Sequence, residues 1–345
     1  MSNLTEPASP AAVPGAVLAI DAGNSKTDVA VVAADGTVLG EARGGGFRPP
    51  VVGTEQAVAI LVPLVAEAAS RAGWSGPLHV EHVQACLANA DLPVEEERLT
   101  AEIRAYGWGR SVTVANDTFA LLRAGLPDEG EPTGVAVVCG TGINCAGLAP
   151  GGRIARFPAI GRLSGDWGGG GHLAEEALWW AARAHDGRGE ASALAHAVPA
   201  HFGLPDMPSL IEALHLGGVS ATRRQELTPL LFEVAADGDA VARAIVAQQA
   251  REIVTMAAVA LARLELLEAE VPVVLGGGVL AAGHSLLLDQ IEELLAERAP
   301  AARPVVVTAP PVLGAALLAL DHVGAPNAAH NRLRAHYMQT RAYGT

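Results

Sequence analysis

Two segments of the chain repeat one pattern, and this repeat constrains the fold more than any other feature. In residues 17–41, four apolar residues run into a turn that contains glycine, and two further strand-like stretches flank Asp35-Gly36. In residues 135–157 the same order recurs around Gly151-Gly152. A short apolar run bounded by turn residues is typical of a buried strand, and Asp-Gly is typical of a tight hairpin. The sequence therefore predicts two similar domains, each presenting a glycine turn.

The composition fits large packed domains and excludes several classes of protein. Half of the 345 residues are apolar, 17% are charged and only 4% are aromatic, which suits helices packed on sheets. With 37 acidic and 23 basic residues the formal charge is −14, which argues against a nucleic-acid partner. No apolar run is long and uninterrupted enough to span a bilayer. We therefore expect no contact with nucleic acid or membrane.

The cysteines and the N-terminus indicate a cytoplasmic protein. Cys86, Cys139 and Cys145 lie in apolar or strand-like contexts, and none has the spacing of a zinc ligand. We expect them to be reduced thiols in a core. Residues 1–15 are polar and rich in Pro and Ala without a basic segment, which predicts a disordered leader and no signal peptide.

The order of predicted elements divides the rest of the chain. We expect an N-terminal domain at residues 16–115, a C-terminal domain at residues 116–325, and a tail at residues 326–345 that forms a surface helix or arm. A closing apolar helix near residues 312–322 falls in the second domain, and packing back onto the first domain is the alternative. A helix is also predicted from residue 55 to about residue 72, after the capping residue Thr54.

The turn of the first repeat carries groups suited to phosphate and metal. Asp21 ends the first strand, and a carboxylate there can hold Mg²⁺ through water. Exposed backbone N–H groups in such a turn bind anions. Lys26 is the only lysine beside 22 arginines, which indicates a point charge near phosphate, although an ordinary hairpin turn is the alternative. The turn consists of Gly23, Asn24, Ser25, Lys26 and Thr27.

A second carboxylate, Asp117, follows a predicted buried strand at residues 112–115 and precedes a predicted helix at residues 118–125. Proteins with α/β folds place catalytic groups at the carboxyl ends of strands. Capping of the helix by Asp117 is the alternative, and the two roles are compatible. Asn116 stands beside it.

Two further glycine turns follow predicted strands. Gly140 and Gly142 would let a backbone approach phosphate closely, Thr141 adds a hydroxyl, and Asn144 can hydrogen-bond a polyol. Tight β-turns are the alternative. The chain contains no G-x-x-x-x-G-K-[ST], which excludes P-loop enzymes. It also lacks the G-x-G-x-x-G fingerprint of dinucleotide binding. A turn after the strand predicted at residues 271–275 suits the ribose or base of a nucleotide and consists of Gly276, Gly277 and Gly278.

The segment at residues 161–171 is dense in glycine and has Asp166 as its only acid. A flexible linker is one interpretation, but a helix begins directly after it, which favours a ligand-binding segment. His172, Glu175 and Glu176 lie on the first turn of that helix. His172 and Glu176 have the i, i+4 spacing of a metal pair, yet without further ligands surface or capping roles are favoured.

In this order the turns resemble the actin/hexokinase/Hsp70 ATPase superfamily. Within it, residues 17–320 resemble the BadF/BadG/BcrA/BcrD ATPase and N-acetylglucosamine kinase family, and they are most similar to the glucosamine kinases of actinobacteria. The resemblance implies an α/β fold of two duplicated ribonuclease-H-like domains with a central cleft. It also implies a homodimer. The motifs that carry it are A-N-D-T, V-C-G-T-G-I-N-C, G-D-W-G-G-G-G-H and V-L-G-G-G-V.

The resemblance also implies a role for each candidate residue. Asp117 would be the base for the 6-hydroxyl of glucosamine, and Asp21 would orient hydrated Mg²⁺. The turns at residues 23–27 and 140–142 would hold the phosphates of ATP, and the turn at residues 276–278 its adenosine. A departure is Asn24, where the family often has Gly. Sugar contacts are implied for Asn116, Asn144 and Asp166, and the sugar ammonium would pair with Asp166, Glu175 or Glu176.

Three alternatives to this function stay open. N-acetylglucosamine or another hexose could replace glucosamine as acceptor. An ATPase that activates a radical dehydratase would need a cysteine presented for an iron–sulfur cluster, whereas Cys139 and Cys145 flank a predicted phosphate turn. A non-catalytic sugar sensor should lack the base or the phosphate turns, and this chain has both.

Overall fold

The computed structural model describes residues 15–342, and the leader predicted for residues 1–14 lies outside them. Helices connect ten strands in this part of the chain. The strands are β1 (Val17–Ala22), β2 (Lys26–Val32), β3 (Val38–Gly45), β4 (Val80–Leu87), β5 (Gly109–Asn116), β6 (Gly134–Cys139), β7 (Ile143–Ala149), β8 (Arg153–Arg156), β9 (Pro272–Gly276) and β10 (Arg303–Val306).

Of the α-helices in residues 15–342, five lie between β8 and β9, two follow β10, and the other seven connect other strands. They are α1 (Pro49–Val52), α2 (Thr54–Ala59), α3 (Leu61–Arg71), α4 (Pro93–Ala105), α5 (Thr118–Gly125), α6 (Gly170–Asp186), α7 (Leu194–His201), α8 (Met207–His215), α9 (Leu227–Ala236), α10 (Ala240–Arg263), α11 (Gly278–Ala281), α12 (Ser285–Arg298), α13 (Pro311–His322) and α14 (Asn327–Ala342).

The strands form two sheets with the same topology. The first has the order β3-β2-β1-β4-β5, and the second, from its opposite edge, has the order β8-β7-β6-β9-β10. In each sheet an antiparallel meander of three strands is extended by two parallel strands. This duplication confirms the two-domain α/β fold that the repeat predicts.

The chain divides into two compact units, and the boundary differs from the predicted one. Among the described residues, the first unit comprises 15–132 together with 307–342, and the second is Thr133–Val306. The first unit continues beyond residue 115 because α5 packs against α13. A Cβ at Gly314 would lie 1.7 Å from the Ala120 carbonyl oxygen, so the two helices touch through their backbones.

The last two helices complete the first unit. Helix α13 packs on β1, which is the alternative that the sequence left open. β1 is buried on both faces, because Leu18 and Ile20 face one apolar core and Val17 and Ala19 another; this explains its continuous apolar run. The tail forms helix α14, whose Leu333 side chain is fully buried, so it is more firmly anchored than a surface arm.

The single helix predicted for residues 55–72 is wrong. Helix α2 ends at Ala59 and α3 begins at Leu61, with a break at Ile60. Pro63 has no N–H to donate to the Ala59 carbonyl, so the helical hydrogen-bond ladder is interrupted there.

The second unit is built around α10. Within residues 15–342 this is the one helix that is long and apolar enough to cross a membrane. More than half of its 24 residues are buried, and it packs against α9, α12 and β6. Its apolar composition is therefore accounted for by its place in a protein core.

Candidate active site

Two carboxylates stand at the same edge of the first sheet. Asp21 lies near the carboxyl end of β1, and Asp117 directly follows β5, which is separated from β1 by the parallel strand β4. Asp21 is 5% exposed and Asp117 is half-buried. Burial, followed by repulsion from Asp117 and Asp28, raises the pKa of Asp21 well above its usual range.

Asp117 has the acid–base properties of a catalytic carboxylate. Burial raises its pKa to about 6, while hydrogen bonds from the backbone amides of Thr118 and of Asp117 itself act in the opposite direction. A carboxylate with this pKa is mostly ionised at neutral pH and is a stronger base than an exposed aspartate. Perturbed carboxylates of this kind concentrate at active sites.

The side chain of Asp117 does not cap α5. It makes no capping hydrogen bond, and the backbone amide of Thr118 donates to Oδ1 of Asn116 at 2.9 Å. The side-chain Nδ2 of Asn116 donates to Oδ1 of Asp91 at 2.8 Å. Asn116 therefore fixes the start of the helix and leaves the Asp117 carboxylate for another role.

The turn between β1 and β2 presents most of the predicted phosphate ligands. The Gly23 amide closes the turn by donating to the Lys26 carbonyl at 2.8 Å, and Asn24, Ser25 and Lys26 are exposed. Thr27 differs, because its side chain is fully buried and its hydroxyl donates to the Gly45 carbonyl at 2.8 Å. Thr27 is therefore a structural residue of the hairpin, which corrects its predicted contact with phosphate.

Asp28 organises the positive charges of this turn. It pairs with Asp21 in the β1–β2 register, and its Oδ2 lies 3.3 Å from Nζ of Lys26. Arg43 on β3 donates two hydrogen bonds to the same carboxylate. Two cations are thereby held beside the buried Asp21, and both lower its pKa in opposition to the larger effect of burial.

The carboxylates fit a magnesium ion better than a closed metal site. Within residues 15–342 no group of three or more His, Cys, Asp or Glu side chains could hold a metal by itself. Magnesium is usually bound by one or two carboxylates together with waters and phosphates. Burial is the first cause of the raised pKa of Asp21, and repulsion from Asp117 and Asp28 ranks next, before the opposing effects of Lys26 and Arg43. A hydrated dication would relieve that repulsion between carboxylates.

In the second unit, three glycine segments meet at the ends of β6 and β9. The amides of Gly170 and Gly171 donate to the carbonyls of Gly140 and Thr141, at 2.7 and 2.9 Å. A Cβ on Gly169 would lie 2.4 Å from Gly142, and one on Gly277 would lie 2.6 Å from the Cys139 backbone. Such close approach requires glycine, and it brings together the turns at residues 140–142, 168–171 and 276–278.

The exposed part of these turns is suited to an anion or nucleotide. Thr141 and Gly142 are exposed, and a Cβ at Gly140 or Gly142 would meet no other atom within 4 Å. Gly278 is exposed, whereas Gly276 is buried in β9. The backbone around Gly140–Gly142 is therefore open to a ligand, and Gly276 serves the packing of the strand.

A cavity of about 260 Å³ adjoins the turn at residues 140–142. Its Asp166 is held by the hydroxyl of Ser164 at 2.6 Å and the amide of Gly161 at 3.0 Å. Ala159 adopts a left-handed backbone with φ of 50°, a conformation that concentrates at functional sites. The lining comprises Gly142, Ile143, Ala159, Gly161, Arg162, Asp166, Gly168, Gly171, His172 and Glu175.

The cavity includes only some of the predicted sugar ligands. Asp166 and Glu175 line it, whereas Glu176 does not and instead lies 3.4 Å from Nε2 of His172. Asn144 is also absent from the lining, and its Oδ1 accepts from the Cys145 amide at 2.7 Å.

The cavity lining also includes Arg162 and Ala159, which the sequence pattern does not identify as site residues. The dense glycine around them marks the segment as a binding loop, but which of its side chains face the cavity depends on backbone conformation. The loop that carries Asp91 was missed as well. It follows the central strand β4, and the rule that catalytic groups lie at the carboxyl ends of strands could have found it.

The three thiols lie in protein cores. Cys86, Cys139 and Cys145 are buried, and burial raises the pKa of Cys139 to about 12 and raises those of the other two further. Thiols of this kind stay protonated and are poor metal ligands. This argues against the iron–sulfur cluster of a dehydratase activator.

The two duplicated sheets and their glycine turns define the class of protein. The fold is the two-domain actin-like ATPase fold found in sugar kinases, as the comparison with solved structures shows. A candidate N-acetylglucosamine kinase from Chromobacterium violaceum has a TM-score of 0.69 at 24% identity, over 89% of this chain and 99% of that one. A ROK family glucokinase from Streptomyces griseus, solved with glucose and AMPPNP, has a TM-score of 0.54 at 18% identity, over 88% and 99%.

The chain belongs to the BadF/BadG/BcrA/BcrD ATPase family, whose model matches residues 18–319. It is 26% identical, over 88% of its length and 97% of the relative, to an N-acetylmuramic acid/N-acetylglucosamine kinase of Clostridium acetobutylicum. It is 27% identical, over 68% of its length and 75% of the relative, to an N-acetyl-D-glucosamine kinase of Dictyostelium discoideum.

Proposed function

We propose that this protein is an ATP-dependent sugar kinase that phosphorylates the 6-hydroxyl of glucosamine. The observation that carries the proposal is Asp117, a carboxylate with its pKa raised to about 6 and no capping role, at the same sheet edge as Asp21. The names of the curated relatives, which are kinases of amino sugars, support the same class of reaction.

In the proposed reaction Asp117 removes the proton from the 6-hydroxyl of the sugar. The hydroxyl oxygen then forms a bond to the γ-phosphorus of ATP, and the bond from that phosphorus to the bridging oxygen breaks to release ADP. Phosphoryl transfer depends mainly on positioning and on neutralising charge. Asn116, fixed by Asp91 and Thr118, would hold the adjacent Asp117 in place.

The ATP phosphates would be bound by the exposed backbone of glycine turns. In the first unit these are Gly23–Lys26, with Lys26 as the point charge held by Asp28. In the second unit they are Gly140–Gly142, and the exposed end of the turn at Gly277–Gly278 would contact adenosine. Asp21 would hold hydrated Mg²⁺, which when bound neutralises charge on the phosphates.

The cavity in the second unit is the proposed place of the sugar ring. Asp166 and Glu175 are the carboxylates that would pair with the ammonium of glucosamine. N-acetylglucosamine is the second candidate, because the curated relatives are named for acetylated sugars and because Arg162 and His172 line the same cavity. An acetamido group carries no charge and would accept hydrogen bonds from these side chains.

Steady-state kinetics with three acceptors test the proposal. We expect ATP consumption to depend on added sugar, and kcat/KM to be highest for glucosamine, lower for N-acetylglucosamine and lowest for glucose. Faster turnover of the acetylated sugar would move the assignment to the second candidate. ATP consumption that no hexose stimulates would overturn the kinase proposal itself.

Two further expectations go with this function. The buried protonated thiols suit a reducing cytoplasm. The homodimer implied by the family resemblance is a prediction that sedimentation velocity tests directly, and a monomer at assay concentration would contradict it.

A further inference from the structure

The loop at residues 88–92 joins β4 to α4, and the function proposed above uses only its Asp91, which fixes Asn116. β4 is the strand between β1 and β5, so the loop emerges between the strands that carry Asp21 and Asp117. The amide of Ala88 donates to the Ala22 carbonyl at 2.8 Å, which fixes the start of the loop beside the glycine turn.

One end of this loop is bonded to the proposed phosphate turn. The side-chain Nδ2 of Asn89 donates to Oδ1 of Asn24 at 3.0 Å and to the Phe47 carbonyl at 3.3 Å. Asn89 has a φ of 62°, a conformation in which glycine is the unstrained choice. Position 89 therefore carries a side chain although its backbone conformation favours glycine. The hydrogen bonds of the Asn89 side chain to Asn24 and Phe47 account for this.

The other end of the loop is bonded to the acceptor side. Oδ1 of Asp91 accepts the hydrogen bond from Asn116, the residue directly before Asp117. The backbone amides of Asp91 and Leu92 donate to Oε2 of Glu95 at 3.1 and 2.9 Å. These bonds fix Asp91 to the first turn of α4, so a shift of the loop would move the partner of Asn116.

We propose that the 88–92 loop couples nucleotide binding to sugar binding, with Asn89 and Asp91 as positioning residues. This inference rests on the proposed function. Phosphate bound at the turn would fix the position of Asn24. Through its hydrogen bond to Asn24, Asn89 would then restrain the loop. Asp91, at the other end of the loop, would hold Asn116 in place for the acceptor. Because coupling between two ligands is reciprocal, bound sugar would tighten nucleotide binding by the same factor.

The hydrogen bond between the side chains of Asn24 and Asn89 can be removed from either side. Glycine at position 24 removes the acceptor, and glycine at position 89 removes the donor while suiting the local φ. Asn24→Gly, Asn89→Gly and the double variant therefore form a cycle that isolates the bond. Asn327→Gly, an exposed position at the start of α14, is the matched control.

The experiment is calorimetric titration of each variant with the preferred amino sugar, with and without AMPPNP and Mg²⁺. We expect nucleotide to tighten sugar binding at least about fivefold in the wild type and in Asn327→Gly, the lower range of allosteric coupling. The factor should fall below about twofold in Asn24→Gly and in Asn89→Gly, with no further loss in the double variant. Asp91→Ala, which removes the acceptor of the Asn116 side chain, should weaken sugar binding with and without nucleotide; unchanged sugar binding in this variant would contradict the role of Asp91.

The inference would be overturned by an unchanged coupling factor in Asn89→Gly or by no coupling in the wild type. It would also be overturned if the losses of coupling in the two single variants added up in the double variant. Such results with a wild type that phosphorylates hexoses would leave the kinase proposal intact. A wild type that phosphorylates no hexose would overturn both.

Discussion

At the scale of single residues, the chemistry depends on how the fold treats two aspartates. Asp21 and Asp117 are both withdrawn from water, and each carries a raised pKa for that reason first. Their neighbours determine the difference between them. Asp21 lies beside two further carboxylates, Asp28 and Asp117, whose effect ranks before that of Lys26 and Arg43, and this suits a cation site. The carboxylate of Asp117 accepts hydrogen bonds from two backbone amides and suits a base.

The raised pKa of Asp117 predicts the pH dependence of catalysis. The base acts only when it is ionised, so kcat/KM for the sugar should rise with pH through a midpoint near 6 and level off above about pH 7. Initial rates between pH 5 and pH 9 at limiting sugar measure this midpoint. A profile that stays flat down to pH 5 would show that no group of this pKa takes part.

A substitution at Gly142 separates ligand binding from folding. The position has no left-handed backbone and space for a Cβ, so Gly142→Ala should change the free energy of unfolding by less than about 1 kcal/mol. The added methyl stands where phosphate would approach, and the KM for ATP should rise about tenfold, equivalent to about 1.4 kcal/mol.

Gly76→Ala is the control for this substitution, because its Cβ also meets no atom within 4 Å. It should alter neither stability nor the KM for ATP. An ATP KM in Gly142→Ala that equals the wild-type value would place the phosphates elsewhere.

At the scale of elements, the position of the base depends on the contact between α5 and α13. Ala120 lies one turn after Asp117, and its carbonyl touches Gly314 of α13. The same contact explains why residues far apart in sequence form one unit.

Gly314→Ala should therefore damage both stability and catalysis. The new Cβ would lie 1.7 Å from the Ala120 carbonyl oxygen, and separating the helices should cost about 3 kcal/mol, at the upper end for overpacked sites. Urea unfolding and kcat measure the two effects. Gly324→Ala, strained by its φ of 68° but without a neighbour, should cost about 1 kcal/mol and leave kcat unchanged; equal kcat in both variants would contradict the role of the contact.

Elements with a local signal could be predicted from the sequence, and features that depend on distant neighbours could not. The buried strands and glycine turns follow from apolar runs and turn residues, and the repeat gave the duplicated topology. The burial of the Thr27 hydroxyl depends on its pairing with Gly45 across the hairpin. The left-handed Asn89 depends on contacts with Asn24 and Phe47, 65 and 42 residues away, for which no local pattern exists.

At the scale of the molecule, the first unit is closed by the last helix of the chain. Arg334 of α14 donates to the carbonyls of Ala124 and Leu126, both at 2.7 Å, and to Asp128 at 2.6 Å. Arg123, only 2% exposed, pairs with Asp128 and with Asp321. The C-terminus thus anchors the end of α5, the helix that Asp117 precedes.

Arg334→Ala should weaken the first unit selectively. It leaves Asp128 and two carbonyls without this donor, at a cost of about 3 kcal/mol. Hydrogen exchange should show lost protection in residues 15–132 and 307–342 but not in residues 133–306, because the units have separate apolar cores. Arg332→Ala is the control, because it removes only an exposed ion pair with Asp35 and should lower the free energy of unfolding by less than about 1 kcal/mol. Uniform loss of protection in Arg334→Ala would show that the units do not unfold separately.

Asp117 is proposed as the base for phosphoryl transfer from ATP to an amino sugar, and Asp117→Asn removes that base while keeping the size of the side chain. The measurement is the rate of sugar 6-phosphate formation, followed by ³¹P NMR, with AMPPNP affinity as the check on folding. We predict one sugar phosphate per ADP in the wild type, and a loss of about 10³-fold in kcat with nearly unchanged nucleotide affinity in the variant. A variant that keeps more than about a tenth of the wild-type kcat, outside the range expected for loss of a general base, would contradict the account.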